Sequence, residues 1–219
     1  MQQREANNGD RLPLFEDDMS TRGFRGKRRD APSGRVPPGQ YLTSDFPVLS
    51  AGPTPRISLD TWSLAIEHPA RREIGRWTWE GLLGLPATEV KVDIHCVTKW
   101  SKLDTRWKGV TFDTLLEATG QPAPTQFVMA LCDGDYATNV SVADLEGGKA
   151  LVAYAYDGQP LAPEHGGPVR LLVPHLYFWK SAKWLRALRF IPADSPGFWE
   201  SHGYHIRGDP WKQERYEGD

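Results

Sequence analysis

The sequence has little cysteine, no long apolar run and almost no net charge. Its two cysteines, Cys96 and Cys132, are too few for a disulfide framework, so we expect a reducing compartment in which either thiol is free to bind a metal. No apolar run reaches the roughly 18 residues of a membrane span, and no apolar segment follows the basic residues near the N-terminus. The net charge of -2 argues against nucleic acid or an anionic membrane as the main partner. We therefore expect a cytoplasmic chain.

Residues 1–40 have few apolar side chains, many charges and a basic cluster. Such a segment cannot bury enough apolar surface to offset the entropy of ordering, so we expect a disordered arm. The alternative is a docking arm for an acidic partner. Residues 41–219 are enough for one sizeable core, and we expect a single domain there. The basic cluster consists of Arg22, Arg25, Lys27, Arg28 and Arg29.

Short strand-like runs alternate with brief helical ones after residue 56, which predicts a mixed α+β domain that is mainly β. Apolar and polar side chains alternate from Val90 to Cys96, so Cys96 is expected to point inward at the end of a strand, with His95 on the opposite face. The aperiodic, charged residues 97–109 predict a long loop. We expect further strands at residues 62–66, 127–132, 151–156, 169–174 and 184–191, and helical segments at residues 78–83 and 111–119.

Cys96 is the first residue with chemical potential. An inward-facing cysteine is a small buried hydrophobe, a metal ligand or a nucleophile, and residue types alone leave the three open. A nucleophile needs an activating histidine, which weakens the hydrolase interpretation because His95 is expected to face away. A zinc site needs several Cys or His at ligand spacing, whereas Cys132 is isolated and the 6 histidines are scattered.

Residues 163–185 form the second segment with chemical potential. The His-Gly-Gly-Pro turn at 165–168 lets the backbone approach a bulky ligand, because glycine has no side chain to obstruct it. Arg170 and Lys183 then bracket the turn with the charge-assisted donors that a buried phosphate requires. The alternative is that both are ordinary charges on a strand surface.

Three motifs together resemble the oxidoreductase molybdopterin-binding family. They are Cys-Val-Thr-x-Trp-Ser at 96–101, His-Gly-Gly-Pro-x-Arg at 165–170 and Trp-Lys-Ser-x-Lys-Trp at 179–184. Within the family the sequence is most similar to small, soluble, sulfite-oxidase-like bacterial proteins, over about residues 41–216. The resemblance implies a single mixed domain of the sulfite oxidase catalytic type.

The same resemblance implies a molybdopterin cofactor that carries molybdenum. Cys96 matches the catalytic cysteine whose thiolate binds the metal, and soft sulfur suits this metal. Residues 44–48 lie where relatives also touch the pterin, but the match there is loose. The residues that match positions holding the pterin and its phosphate are His165, Arg170, Ser181, Lys183 and the backbone around Ala182.

The expected activity is two-electron transfer of an oxygen atom to or from a small substrate, inside a pocket walled by Trp100, Trp107 and Trp179. Sulfite oxidases carry arginine-rich sequence where this chain has residues 43–45 and 97–99, which favours an S-oxide or N-oxide over sulfite. No haem or flavin segment is visible, so electrons are expected from a separate protein. The alternative is a non-catalytic molybdopterin-binding or carrier module. Replacement positive charge for an anionic substrate is available at Lys99, Lys102, Arg106 and Lys180.

Overall fold

The computed structural model describes residues 34–219, and the basic cluster of the N-terminal arm lies outside these residues. Two residues of the stretch assigned to the arm contact the domain. Arg35 forms an ion pair with Asp93, with 2.7 Å between Nη2 and Oδ1, and Gln40 donates to the Cys96 carbonyl at 3.0 Å. The domain boundary at residue 40 remains a prediction. The two contacts show that Arg35 and Gln40, which lie before this boundary, are bonded to residues of the predicted domain.

The described residues form 11 strands, three short α-helices and several 3₁₀ turns. The strands are β1 Tyr41–Leu42, β2 Ser63–Glu67, β3 Glu73–Thr78, β4 Thr88–His95, β5 Trp100–Thr111, β6 Phe127–Cys132, β7 Ala137–Ser141, β8 Leu151–Tyr156, β9 Gln159–Pro160, β10 Arg170–Leu172 and β11 Leu185–Ile191. The helices are α1 Trp79–Leu83, α2 Phe112–Ala118 and α3 Val142–Leu145. No helix among residues 34–219 has the length and apolar character needed to cross a bilayer.

The strands build two mixed sheets. One sheet has the order β1-β5-β8-β10, with β4 paired to β5 and β9 paired to β8. The other has the order β3-β2-β11-β6-β7. Most neighbours are antiparallel, whereas β1 runs parallel to β5 and β2 runs parallel to β11. This mixed, mainly β arrangement confirms the predicted fold class.

Local sequence explains most element boundaries. Side-chain hydroxyls of Thr78, Thr111 and Ser141 cap the three helices by accepting from a backbone N–H three residues later. The Asp-Gly pairs at 133–134 and 157–158 lie in turns after β6 and β8, as expected of residues that tolerate turn geometry. The strands predicted at 62–66, 127–132, 151–156, 169–174 and 184–191 are found within a few residues of those bounds.

The long loop predicted at residues 97–109 is wrong. Residues 100–111 form β5, the longest strand, and only the turn at 97–99 separates it from β4. Thr105 and Trp107 are buried, whereas Asp104, Arg106 and Lys108 are exposed. The charges are therefore the solvent face of a twisted strand, whose period is broken by register shifts toward both β4 and β8.

His95 was predicted to lie on the face of β4 opposite Cys96, and the structure shows that the residue is nevertheless buried. His95 is only 4% exposed, although it neighbours Cys96 at the end of β4. Its Nδ1 lies 2.8 Å from the Ser101 hydroxyl, and its ring packs edge-on against Trp211 of the C-terminal segment. That segment covers the second face of the sheet locally, so alternation along β4 could not reveal the burial.

Candidate cofactor site

Cys96 begins the tight turn that connects β4 to β5. The Lys99 N–H donates to the Cys96 carbonyl at 3.0 Å, and the Cys96 N–H donates to the Trp100 carbonyl at 2.9 Å. Lys99 adopts a φ of 74°, a left-handed conformation that is uncommon for a residue with a side chain. The turn therefore folds the backbone of residues 97 and 98 back around the cysteine.

The Cys96 sulfur lies in a buried, donor-rich position. The residue is 8% exposed, and the Thr98 hydroxyl donates to Sγ at 3.1 Å. Burial raises the pKa of the Cys96 thiol, and the Thr98 hydrogen bond is the largest of the effects that oppose this rise. Backbone N–H groups of Thr98 and Val97 and the charge of Arg215 act in the same lowering direction. Burial thus disfavours the thiolate form of Cys96, whereas the surrounding hydrogen-bond donors and the charge of Arg215 stabilise it.

Two distant residues hold this turn in place. Gln40 donates to the Cys96 carbonyl at 3.0 Å, and Arg215 donates through Nη1 to the Val97 carbonyl at 2.6 Å. Arg215 is 9% exposed, and its guanidinium carbon lies 4.9 Å from the Tyr177 ring centroid. Both termini of the domain therefore fix the position of the sulfur.

Arg170 supplies a buried positive charge on the first residue of β10. It is 1% exposed and donates to the His165 carbonyl at 2.9 Å and to the Ser181 carbonyl. Its Nε has no hydrogen-bond partner within residues 34–219. Burial lowers the pKa of Arg170 to about 9. A buried cation whose partners are neutral carbonyls is costly, and an anionic ligand would remove that cost.

Lys183 adds a second cation with the same character. Its amine donates to the backbone carbonyls of Leu49 and Glu164, each at 2.7 Å. Burial, followed by the charge of Arg170, lowers the pKa of Lys183 to about 8. Burial also lowers the pKa of His165, and the charges of Arg170 and Lys183 lower it further. Arg170 and Lys183 therefore form an electropositive pair that favours the neutral form of the neighbouring His165 imidazole.

The glycines of the 165–168 turn let this pair assemble. Gly166 has a φ of +108°, and a Cβ added there would lie 3.0 Å from Lys183 and 3.1 Å from Arg170. A Cβ on Gly167 would lie 2.1 Å from the Leu161 carbonyl oxygen. A side chain at Gly166 would require Lys183 or Arg170 to shift, and one at Gly167 would collide with the Leu161 backbone.

Ser181 and Ala182 lie within the framework that supports the cations. The Ser181 hydroxyl accepts from the Val173 N–H at 2.9 Å, and its carbonyl accepts from Arg170. Ala182 is 1% exposed and its carbonyl accepts from the Leu171 N–H at 2.8 Å. These contacts brace β10, and the roles of Ser181 and Ala182 as cofactor-binding residues remain predictions.

Aromatic rings pack together beside Cys96, His165 and Arg170. The Phe46 ring stacks on the His165 ring, with centroids 3.9 Å apart and planes at 9°. Trp100 and Trp107 belong to the same buried cluster as Cys96, in agreement with their predicted positions. Trp179 differs, because it stacks on Tyr177 and meets Tyr204 of the C-terminal segment. Phe46 also contacts the rings of Trp100, Trp107, Tyr156 and Phe178.

The buried polar atoms of this region fit a molybdopterin with its phosphate. Among residues 34–219, Trp100 Nε1 and His165 Nδ1 are buried without a hydrogen-bond partner, as is Arg170 Nε. Buried polar nitrogens are normally satisfied, so these atoms mark places for a polar ligand. The thiol at one side matches a soft metal, and the two cations match a phosphate. In the same residue range no group of three or more His, Cys, Asp or Glu side chains is placed to hold a metal ion.

Lys180 does not supply charge to a substrate. Its amine is buried and pairs with Glu200 at 2.6 Å, and it also donates to the Asn139 side chain at 2.8 Å. Lys102 donates to the Ser44 carbonyl at 2.5 Å. Lys99 and Arg106 are exposed, and they remain the predicted sources of positive charge for an anionic substrate.

Sequence reasoning missed three residues that act on the Cys96 turn. Thr98 stands inside the first motif, so a signal was present, but its hydrogen bond to sulfur depends on the turn geometry. Gln40 and Arg215 lie near opposite ends of the described chain, and no local pattern links either to Cys96. The parallel pairing of β1 with β5 delivers Gln40, and the packing of the C-terminal segment delivers Arg215.

Comparison with known proteins identifies the family. The family model described as oxidoreductase molybdopterin binding domain matches residues 51–199. The chain belongs to this family. Its cofactor is molybdopterin carrying molybdenum, as predicted.

This molybdopterin-binding domain has close and distant relatives. It is 42% identical over 201 residues to the uncharacterized oxidoreductase YuiH of Bacillus subtilis strain 168, covering 90% of this chain and 99% of that protein. It is 31% identical over 132 residues to the putative protein-methionine-sulfoxide reductase subunit YedZ1 of Azospira oryzae, covering 60% of this chain and 50% of that protein. The crystal structure of the sulfane dehydrogenase SoxCD from Paracoccus pantotrophus matches with a TM-score of 0.58 and 17% identity, covering 85% of this chain and 56% of that chain.

These relatives show the fold and the family of the chain but not its particular reaction. The SoxCD match confirms the predicted fold of the sulfite oxidase type. The domain spans nearly all of YuiH but about half of YedZ1 and of the SoxCD chain. Membership in an oxidoreductase family is shown, and the particular reaction is a matter for proposal.

Proposed function

We propose that this chain is a molybdenum-cofactor oxidoreductase that transfers an oxygen atom to or from a small substrate, with Cys96 as the thiolate ligand. The observation that carries the proposal is the pairing of a buried sulfur with two cations, the buried Arg170 and the half-buried Lys183, that have no carboxylate partner among residues 34–219. Either feature alone has a structural explanation. Together, in a family that binds molybdopterin, they match the two ends of that cofactor.

The proposed roles follow from the contacts of each side chain. Cys96 provides the soft thiolate, and the turn of residues 97–99 surrounds it with donors that stabilise the anion. Arg170 and Lys183 neutralise the cofactor phosphate. To reach it, the Lys183 amine gives up its hydrogen bonds to the Leu49 and Glu164 carbonyls and donates to the phosphate instead. His165 donates or accepts at its unpaired Nδ1, and the backbone at Ser181 and Ala182 positions the cations.

The aromatic side chains keep water away from the reacting atoms. Trp100 and Trp107 are each 2% exposed, and Phe46 closes the space above His165. When bound, the cofactor supplies a molybdenum centre that exchanges an oxygen atom and two electrons with the substrate. The protein contributes the ligand, the positive clamp and the dry surroundings.

An S-oxide or N-oxide is the proposed substrate class, with reduction as the favoured direction and sulfite-type oxidation as the alternative. The similarity to a protein named as a putative methionine-sulfoxide reductase subunit supports the S-oxide. The turn after Cys96 carries Thr98 and Lys99 rather than arginines, and Lys180 is committed to Glu200, so few cations are available for a sulfite dianion. A separate electron-transfer protein is proposed as redox partner, and the name of that relative as a subunit is consistent with one. The cytoplasmic location remains a prediction.

The test is dye-coupled reduction by protein purified from a host that makes the cofactor. An anaerobic screen with an artificial electron donor should give turnover with S-oxides or N-oxides, and Cys96→Ser should abolish it while the pterin stays bound. The matched control is Cys132→Ser, because Cys132 lies on β6 outside the Cys96 cluster and should retain activity.

Two results would reject the proposal in different ways. Equal activity in Cys96→Ser and the wild type would remove the ligand role. Pterin without molybdenum, and without turnover on any substrate class, would favour the non-catalytic carrier instead.

A further inference from the structure

Thr98 is the residue whose side chain reaches the proposed metal ligand most directly. Its hydroxyl oxygen lies 3.1 Å from Cys96 Sγ and donates to it, and no other hydrogen bond from this hydroxyl is found within residues 34–219. Thr98 is half-buried, so water does not freely replace this contact. The hydroxyl is therefore dedicated to the sulfur.

The turn geometry fixes this contact in direction. Lys99 closes the turn onto the Cys96 carbonyl at 3.0 Å in a left-handed conformation, which leaves residue 98 beside the cysteine side chain. Arg215 holds the intervening Val97 carbonyl at 2.6 Å. The backbone of the turn is therefore restrained on both sides of Thr98, which keeps the Thr98 side chain within hydrogen-bond distance of the sulfur.

A hydrogen bond to a ligand sulfur withdraws electron density from it. A sulfur with less density donates less to a metal, which favours the reduced metal and raises its reduction potential. We propose that Thr98 is a positioning residue that sets the reduction potential of the molybdenum through its hydrogen bond to Cys96. This inference rests on the proposed function, since it requires Cys96 to be the metal ligand.

The consequence is a side chain that tunes the direction of the reaction. A higher potential makes the reduced metal easier to reach with a weak electron donor, whereas a lower potential makes that metal a stronger reductant of an S-oxide. Thr98 thus adjusts the balance between loading electrons and delivering them, without touching the substrate.

The experiment compares Thr98→Val and Thr98→Ser by redox titration and by the electron paramagnetic resonance signal of Mo(V). Valine keeps the shape of threonine and removes the hydroxyl, whereas serine keeps the hydroxyl and removes the methyl group. We expect the midpoint potential to fall and the signal to shift in Thr98→Val, and both to return to near the wild-type values in Thr98→Ser. Thr61→Val, at an exposed turn outside the site, is the matched control and should leave both unchanged.

A purely structural role gives the opposite order. If Thr98 only packs against the turn, Thr98→Ser is the more disruptive change and Thr98→Val resembles the wild type. That order, or an unchanged potential in Thr98→Val, overturns the inference. Molybdenum content and the thermal unfolding midpoint are measured for each variant, so that loss of the metal or of the fold is not mistaken for tuning.

The failure of this inference can be separated from failure of the proposed function. If the wild type contains molybdenum and Cys96→Ser alters the Mo(V) signal, the ligand role stands, and an unchanged Thr98→Val rejects the inference alone. If Cys96→Ser leaves the signal unchanged, the ligand role fails and the inference fails with it.

Discussion

Arg170 carries a positive charge whose hydrogen-bond partners within residues 34–219 are backbone carbonyls. Lys183 shares this character. In the cofactor-free protein both charges oppose folding, because desolvation is not repaid by an opposite charge. Under the proposed function, the cofactor phosphate would relieve this cost, which predicts opposite effects of the same substitution on stability and on cofactor binding.

For Arg170→Met we expect weaker retention of the cofactor, by about 2–5 kcal/mol, because a charge-assisted contact to the phosphate is lost. The cofactor-free variant should unfold at an unchanged or higher urea concentration, because a buried charge has been removed. Pterin content after dialysis and urea unfolding measure the two effects. Arg72→Met, on the exposed β2–β3 turn, should change neither. A variant that loses stability but keeps the cofactor would contradict the assigned role.

Lys183 gives a prediction about pH. Its pKa is lowered to about 8 in the folded protein by burial and the charge of Arg170, whereas an unfolded lysine has a pKa of about 10.4. Between these values the unfolded chain binds the proton and the folded chain does not, so the free energy of unfolding should rise with pH. Below about pH 8 both states are protonated and this contribution to the pH dependence is flat.

Urea unfolding of cofactor-free protein at about pH 7.5 and about pH 9.5 measures this contribution. The increase should be smaller in Lys183→Met than in the wild type, because the variant lacks the titrating amine. Comparison of the two proteins cancels the titration of other groups. An equal pH dependence in both would show that the Lys183 amine is not desolvated.

The site residues differed in how far sequence could predict them. Alternation along residues 90–96 was enough to place Cys96 inward, because the period of a strand is independent of its neighbours. The contacts of Gln40 and Arg215 with the Cys96 turn could not be predicted, since they arise from packing between segments far apart in sequence.

At the scale of elements, a buried ion pair joins the C-terminal segment to the 3₁₀ turn Phe178–Lys180 between β10 and β11. Lys180 and Glu200 are each 1% exposed in their side chains, with 2.6 Å between Nζ and Oε1. Glu200 also accepts from the Thr138 hydroxyl and the Trp179 indole. This pair fastens the segment that delivers Arg215 to the Cys96 turn.

Removal of one partner of this pair should be costly. Lys180→Met leaves a buried carboxylate uncompensated, and we expect a loss of about 3–5 kcal/mol in the free energy of unfolding. The double variant Lys180→Met with Glu200→Gln should lose less, because no charge remains buried. Urea unfolding of the two variants measures the difference. If the double variant has the same free energy of unfolding as Lys180→Met, the uncompensated charge of Glu200 is not the cause of the loss.

Strands with an apolar run of buried side chains were predicted correctly. Strands whose side chains are largely charged, polar or incompletely buried were not. β6, β8 and β11 have the apolar runs expected of buried strands. β5 was mistaken for a loop because its outer face is densely charged and its register shifts twice. β3 and β7 were missed, since none of the six residues of β3 is fully buried, and β7 is short and polar.

The whole molecule is a mixed β domain in which both chain ends of the described region converge on one turn. β1 approaches β5 beside Cys96, and the C-terminal segment covers the opposite side through Trp211 and Arg215. Phe46, which follows β1 in the chain, stacks on the ring of His165. The position of the Cys96 turn thus depends on contacts from both ends of the described region as well as on the three motifs.

The most direct measurement is molybdenum K-edge X-ray absorption on the wild type and on Cys96→Ser, both purified from the same cofactor-producing host. We predict near-stoichiometric molybdenum in the wild type and one sulfur neighbour fewer around the metal in the variant. Identical sulfur coordination in the two proteins, or a wild type free of both metal and pterin, would contradict the assignment of Cys96.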